Sequence, residues 1–82
     1  MRIFVLGDAL DVRGFALAGV EGARAEDPES ARAGLARAVH AEPPVGLLLL
    51  SERIAGLLPR EIDRLERSDG PPAVVVLPGS RR

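Results

Sequence analysis

Asp8 and Asp11 come just after the apolar run Ile3-Phe4-Val5-Leu6 and its turn residue Gly7, and Ser51-Glu52-Arg53 follow directly on a second run, Val45 to Leu50. An acidic pair at the carboxyl end of a strand can hold a metal ion beside a phosphate-accepting aspartate, and a serine there can act as a nucleophile when a base and an oxyanion donor are in place. Neither set is complete. The first chemistry also needs an aspartate after the third strand and a lysine after a later one, but the chain has Ser51 at the first place and no lysine at all. The second needs a base, and the single histidine, His40, falls at the far end of a helical segment. Helix capping accounts more simply for Asp8, Asp11 and Ser51, whose side chains can accept hydrogen bonds from free amides at a helix start. His40 reads as a carboxyl-terminal helix residue that suits the local dipole, without chemistry of its own.

Gly7, Gly14, Gly19 and Gly22 lack the Gly-x-Gly-x-x-Gly spacing that brings a pyrophosphate close to a helix start, and no Gly-Lys-Ser/Thr follows. No dinucleotide or nucleoside-triphosphate cofactor is expected. Structural duties suffice for them: a turn at Gly7, close helix packing at Gly14 and helix termination at Gly19. Without cysteine there is no disulfide, thiolate metal site or thiol nucleophile, and one histidine makes a zinc site improbable. Eleven basic and twelve acidic residues nearly cancel, and Phe4 and Phe15 are the only aromatics, so the chain lacks both the basic face and the stacking platforms of a nucleic-acid binder. All the basic residues are arginine, and asparagine, glutamine and threonine are also missing; this fits GC-rich codons and would equally suit a thermophile. The run Val45 to Leu50 is far shorter than the roughly 20 residues that span a bilayer, so direct membrane insertion is not expected. A strand starting at the third residue leaves no room for a secretory signal, which points to the cytoplasm.

The elements that must position these residues follow from the apolar runs. Ile3 to Leu6, Val45 to Leu50 and Ala73 to Leu77 are short, continuous and bounded by turn residues, the pattern of strands buried on both faces. A first helix starting near Asp8 or Asp11 places Val12, Phe15 and Ala16 on one face. A weak second strand is expected at Ala23 to Ala25. Asp27 and Pro28 then open a second helix whose Ala31, Leu35, Ala38 and Val39 recur at helical spacing, with Arg32 and Arg37 turned to water, and which ends before Pro43-Pro44. Glu52 to Leu58 and Pro59 to Arg67 read as helix, with Pro59 either kinking one element or opening another. Leu58, Ile62 and Leu65 form its buried stripe, and Glu61 lies on a charged, solvated face. Alternation of strand and helix implies an α/β fold on a parallel sheet, with recognition sought at the strand-to-helix corner after the first strand. No linker or repeat divides the chain: residues 1–79 read as one domain and 80–82 as a solvated tail.

The ordered series Gly7-Asp8, Gly14-Phe15-Ala16-Leu17-Ala18-Gly19-Val20, Asp27-Pro28-Glu29, Val45-Gly46-Leu47-Leu48-Leu49-Leu50-Ser51-Glu52-Arg53-Ile54-Ala55 and Pro72-Ala73-Val74-Val75-Val76-Leu77-Pro78-Gly79 resembles the F subunit of the archaeal and bacterial A/V-type rotary ATPases. The resemblance covers nearly the whole chain. It implies a small four-stranded parallel sheet of Rossmann-like or receiver-like form, in the order 2-1-3-4 with flanking helices. It also implies a non-catalytic central-stalk protein, cytoplasmic and peripheral to a membrane-bound complex, that binds the helical-hairpin D subunit of the rotor and other ATPase subunits. Such a component supports the coupling of ATP hydrolysis or synthesis to proton or sodium transport. The family's regulatory action is attributed to a further carboxyl-terminal helix, whereas only Ser80-Arg81-Arg82 follow Gly79 here; either that helix has been removed or the natural protein lacks it.

On this reading catalytic, cofactor and metal residues are none, and the partner interface is assigned to Asp8, Arg13, Phe15, Leu17, Ser51, Glu52 and Arg53. Charged Asp8, Arg13 and Arg53 would orient a partner, Ser51 and Glu52 would share the polar patch, and Phe15 and Leu17 would supply apolar contact; Phe15 has an equally good place in the core. The alternative is a receiver-like or flavodoxin-like domain binding a small ligand near Asp8 and Ser51. A short Ala/Arg-rich second strand would leave a sheet edge at which isolated copies could pair weakly.

Overall fold

Short apolar strands separated by helices can pair in parallel only through crossovers, and each crossover lays a helix on a face of the sheet. The computed structural model, which describes residues 1–78, has this arrangement. The elements are β1 (Ile3–Gly7), α1 (Ala9–Ala16), β2 (Glu21–Arg24), α2 (Pro28–Val39), β3 (Leu47–Ser51), α3 (Glu52–Leu57), α4 (Pro59–Arg67) and β4 (Ala73–Leu77). All strands are parallel, in the order β2-β1-β3-β4. The expected α/β class and strand order are both present. Gly79 and the tail 80–82 lie outside the described residues, and with them the expected domain boundary.

Local chemistry sets the helix ends. Asp8 and Asp11 form a reciprocal capping box on α1, and Asp27 and Ser30 form another on α2, where Pro28 opens the helix without losing a hydrogen bond. Ser51 accepts from the Ile54 amide to start α3, and Pro59 opens α4 as a separate helix instead of kinking a continuous one. Gly19, at φ +83°, turns the chain after α1 into β2, a backbone angle that residues with a Cβ rarely adopt.

Alternation along the strands then sorts side chains between two faces. Phe4, Leu6, Leu48 and Leu50 point to one face, where they are essentially inaccessible and pack with Ala31, Leu35 and Ala38 of α2, Ile54 of α3, Leu58, and Ile62 of α4. Arg37 is exposed, as expected, and its guanidinium also lies over the Phe4 ring, 5.5 Å from its centroid. On the other face α1 lies against β1 and β2. Val5 and Leu49 are buried on that face, while Phe15 is only half-buried.

Four expectations need correction. The second strand is Glu21–Arg24, earlier than Ala23 to Ala25, because its register is set by pairing with β1 from Phe4 to Gly7. The third begins at Leu47, although Val45 is buried in the core ahead of it. The fourth is not buried on both faces: Val75 and Val76 remain 45% and 39% exposed, since β4 closes the sheet at one side while α1 covers strands at the other. Close packing expected at Gly14 is absent, for a Cβ there would meet open space. A close approach to backbone occurs at Gly22, where a Cβ would lie 2.5 Å from Val5 Cγ1 and 2.6 Å from the Val5 carbonyl oxygen.

These two glycines have opposite expected responses to alanine. Gly22→Ala forces β2 away from β1 and costs about 1–3 kcal/mol, whereas Gly14→Ala fills no occupied space and gains up to about 1 kcal/mol of helix stability. Urea unfolding of the two variants would read opposite shifts in midpoint; a neutral Gly22→Ala would contradict the packing at β1 and β2.

Candidate functional site

The carboxyl ends of β1, β3 and β4 meet at one edge of the sheet, and the turns that leave β1 and β3 bring polar residues there. Asp8, Asp11, Ser51, Glu52, Arg53, Leu77 and Pro78 line a cleft of about 280 Å³. An adjoining notch is formed by Asp8, Glu26 and Arg53. The strand-to-helix corner expected from the sequence is thus a real concavity.

Most of its polar atoms are engaged in holding local backbone. The Asp11 amide donates to Asp8 Oδ1 at 3.2 Å, and the Asp8 amide donates to Asp11 Oδ2 at 3.3 Å. The acidic pair therefore closes a helix start, each carboxylate using one oxygen in the capping box. Ser51 Oγ, at the place where a phosphate-accepting residue would stand, accepts from the Ile54 amide at 3.2 Å. Arg53 reaches from α3 to the segment after β2, donating to the carbonyls of Ala25 and of Glu26. It is a clamp between two crossovers, and only what remains of its guanidinium faces the notch. Glu52 is exposed at the start of α3, and its carboxylate suits the positively polarised helix terminus. Among the described residues no cluster of three His, Asp or Glu side chains is arranged to hold a metal ion.

The remaining proposed interface residues lie elsewhere. Arg13 is exposed on α1, Phe15 is half-buried on the same helix, and Leu17 at its C-cap is 87% exposed. The set thus divides into a polar corner, with Asp8, Ser51, Glu52 and Arg53, and an α1 surface that carries Leu17. Sequence reasoning did not include Glu26 or Leu77, which complete the corner; Leu77 was accessible to it, because the last residue of a parallel strand must reach the same edge as Ser51, its register partner.

A second concavity runs between α2 and α4, lined by Leu35, Val39 and Leu65 with His40 and Arg64 on its rim. Glu61, expected on a solvated face, is tied across it to Arg32, with Nε to Oε2 at 2.8 Å. His40 is the C-cap of α2 and lines this groove instead of the corner that holds Ser51.

A family model described as ATP synthase (F/14-kDa) subunit matches residues 3–82. The chain belongs to that family. A comparison with curated proteins finds no match. As a member of the F/14-kDa family the chain is an accessory component of an A/V-type ATPase, and its partners are other subunits of that assembly. Among the described residues no helix is long and apolar enough to cross a membrane.

Two carboxylates respond to their settings. The Ser30 amide, and then its hydroxyl, hold Asp27 below its ordinary 3.8, and the Arg32 guanidinium holds Glu61 below its ordinary 4.5. A lowered native pKa means the unfolded chain takes up protons first as pH falls, so this stability is full above those ordinary values and is lost on acidification. Asp27→Ala should lower Tm at neutral pH, and the gap to the parent should narrow as pH falls and the native carboxylate takes up its proton. Asp27→Asn, which can still cap, should stay close to the parent at neutral pH. Loss of the Arg53 clamp in Arg53→Ala should cost about 1 kcal/mol, and amide exchange at Glu26 and Asp27 should accelerate with it.

Proposed function

We propose that this protein is a non-catalytic central-stalk component of an A/V-type rotary ATPase or ATP synthase. It binds the helical-hairpin D subunit of the rotor on the cytoplasmic side and supports coupling of ATP hydrolysis or synthesis to proton or sodium transport. The observation that carries this reading is the family match across residues 3–82. The geometry supports it in a subsidiary way. A rotor component must transmit torque through a rigid contact, and here a three-layer scaffold displays two exposed leucines at the ends of α1, Leu10 and Leu17, together with a charged corner held by capping bonds and the Arg53 clamp. An apolar anchor with charges around it is the usual anatomy of a specific protein contact.

Asp8, Arg13, Phe15, Leu17, Ser51, Glu52 and Arg53 are assigned to that contact. In this role Leu17 supplies apolar area and Arg13 sets orientation and encounter rate. Asp8, Ser51 and Arg53 act mainly by keeping the corner rigid. The small-ligand alternative has little to build on, since Asp8 and Ser51, on which it depended, are engaged as helix caps.

Calorimetric titration of the chain into the helical-hairpin rotor protein from the same source tests the reading. Saturable one-to-one binding is expected. Leu17→Asp should weaken it by about tenfold or more without changing Tm, because the side chain is almost fully exposed. Arg13→Ala should reduce mainly the salt dependence of association. Absence of binding by the folded parent chain would overturn the proposal.

A further inference from the structure

The two edges of the sheet are unlike. β2, Glu21-Gly22-Ala23-Arg24, carries charge at both ends: Arg2 grips Glu21 with two hydrogen bonds of 3.0 Å, and Arg24 pairs with Glu26 at 3.4 Å. Charges on an edge strand discourage the approach of another strand. β4, Ala73-Val74-Val75-Val76-Leu77, has no charge and no proline within it, and among the described residues it pairs only with β3. Val75 points to one face and Val76 to the other, and both remain substantially exposed. β4 therefore lacks the usual protections of an edge.

Its backbone polarity decides what fits there. The Ala73 amide donates to the Gly46 carbonyl at 3.0 Å, so the lateral groups of Ala73, and by alternation those of Val75 and Leu77, turn toward β3. Those of Val74 and Val76 turn outward. These two residues lie symmetrically about Val75, which makes the strand its own antiparallel complement. Around a twofold axis at Val75, Val74 of one copy and Val76 of the other exchange N–H and C=O bonds, and the symmetric pair does the same. Val75 then meets Val75 and Ala73 meets Leu77 on one face, while Val74 meets Val76 on the other. No like charges are brought together. Pro72 and Pro78 flank the strand and end the ladder. After pairing, only the charged β2 edges remain, so growth stops at two copies.

We propose that free copies of this protein associate through β4 into a twofold dimer with one continuous antiparallel junction between their sheets. The edge that pairs is thus the one opposite to the Ala/Arg-rich strand that sequence alone singles out. The pairing does not depend on docking to the rotor.

Analytical ultracentrifugation of the full chain, from about 10 µM to about 1 mM, should show a reversible monomer–dimer equilibrium. Val75→Lys and Val75→Glu each place like charges opposite one another at the axis and should be monomeric when alone. Mixed in equal amounts they should form a heterodimer, because the opposed charges then attract. Val76→Pro removes an outward amide and spares the bonds to β3, so it should weaken the dimer about tenfold or more with an unchanged circular dichroism spectrum. Amide exchange at Val74 and Val76 should slow as concentration rises. A parent chain monomeric throughout this range would overturn the proposal. So would a dimer that persists in both Val75→Lys and Val76→Pro, or one lost on Arg24→Ala but not on changes in β4.

Discussion

Burial of the β1 and β3 side chains beneath α2, α3 and α4 is the interaction on which the rest of this structure depends. Phe4 stands beside Leu48 and Leu6 beside Leu50 in the parallel register, and all four are shut off from water. Each such side chain contributes about 1.5–3 kcal/mol when fully buried, and no other layer of the molecule has a comparable number of large inaccessible groups. The helices exist in their observed places because they cover this layer. α4 illustrates the dependence: it starts without a side-chain cap and carries many charges, yet Ile62 anchors it to the shared cluster. Its helicity is tertiary in origin.

The same constraint explains how polar residues are used. A small domain has little core to spare, so the crossovers between layers must be held by capping and by charge-assisted bonds to backbone. Asp8 with Asp11, Asp27 with Ser30, and Ser51 with the Ile54 amide end their elements in this way. Arg53 joins α3 to the segment after β2, and Arg32 joins α2 to Glu61 of α4.

Coverage is uneven on the two sides of the sheet. One face has three helices and the other has α1 against β1 and β2. The exposed apolar groups include Leu10 and Leu17 at the ends of α1 and Val75 and Val76 along β4. Apolar exposure of this kind on a parallel sheet is unusual, because such sheets are ordinarily covered on both faces. The two regions differ in character: at α1 the exposure is of side chains, whereas β4 also presents backbone groups along an open edge.

By itself the sequence determined the class and the order of elements. Three apolar runs with turn residues between them admit few arrangements other than a parallel α/β sheet, and Asp27-Pro28, Ser51 and Gly19 mark boundaries that rest on backbone chemistry within a few residues. The resemblance of the ordered motifs to the rotary-ATPase F family carried the strand order and the family. Tertiary structure alone decided the remainder. The extent of β2 depends on where β1 ends, since alanine and glycine have no strand preference of their own. Arg53 as a clamp, Arg37 over Phe4, and Arg32 bound to Glu61 are contacts between residues far apart in the chain, for which local periodicity carries no signal. An apolar run also reads identically whether its strand is central or at an edge, because periodicity records what a strand can bury and not how many neighbours it has. Only assembly of the sheet left β4 open.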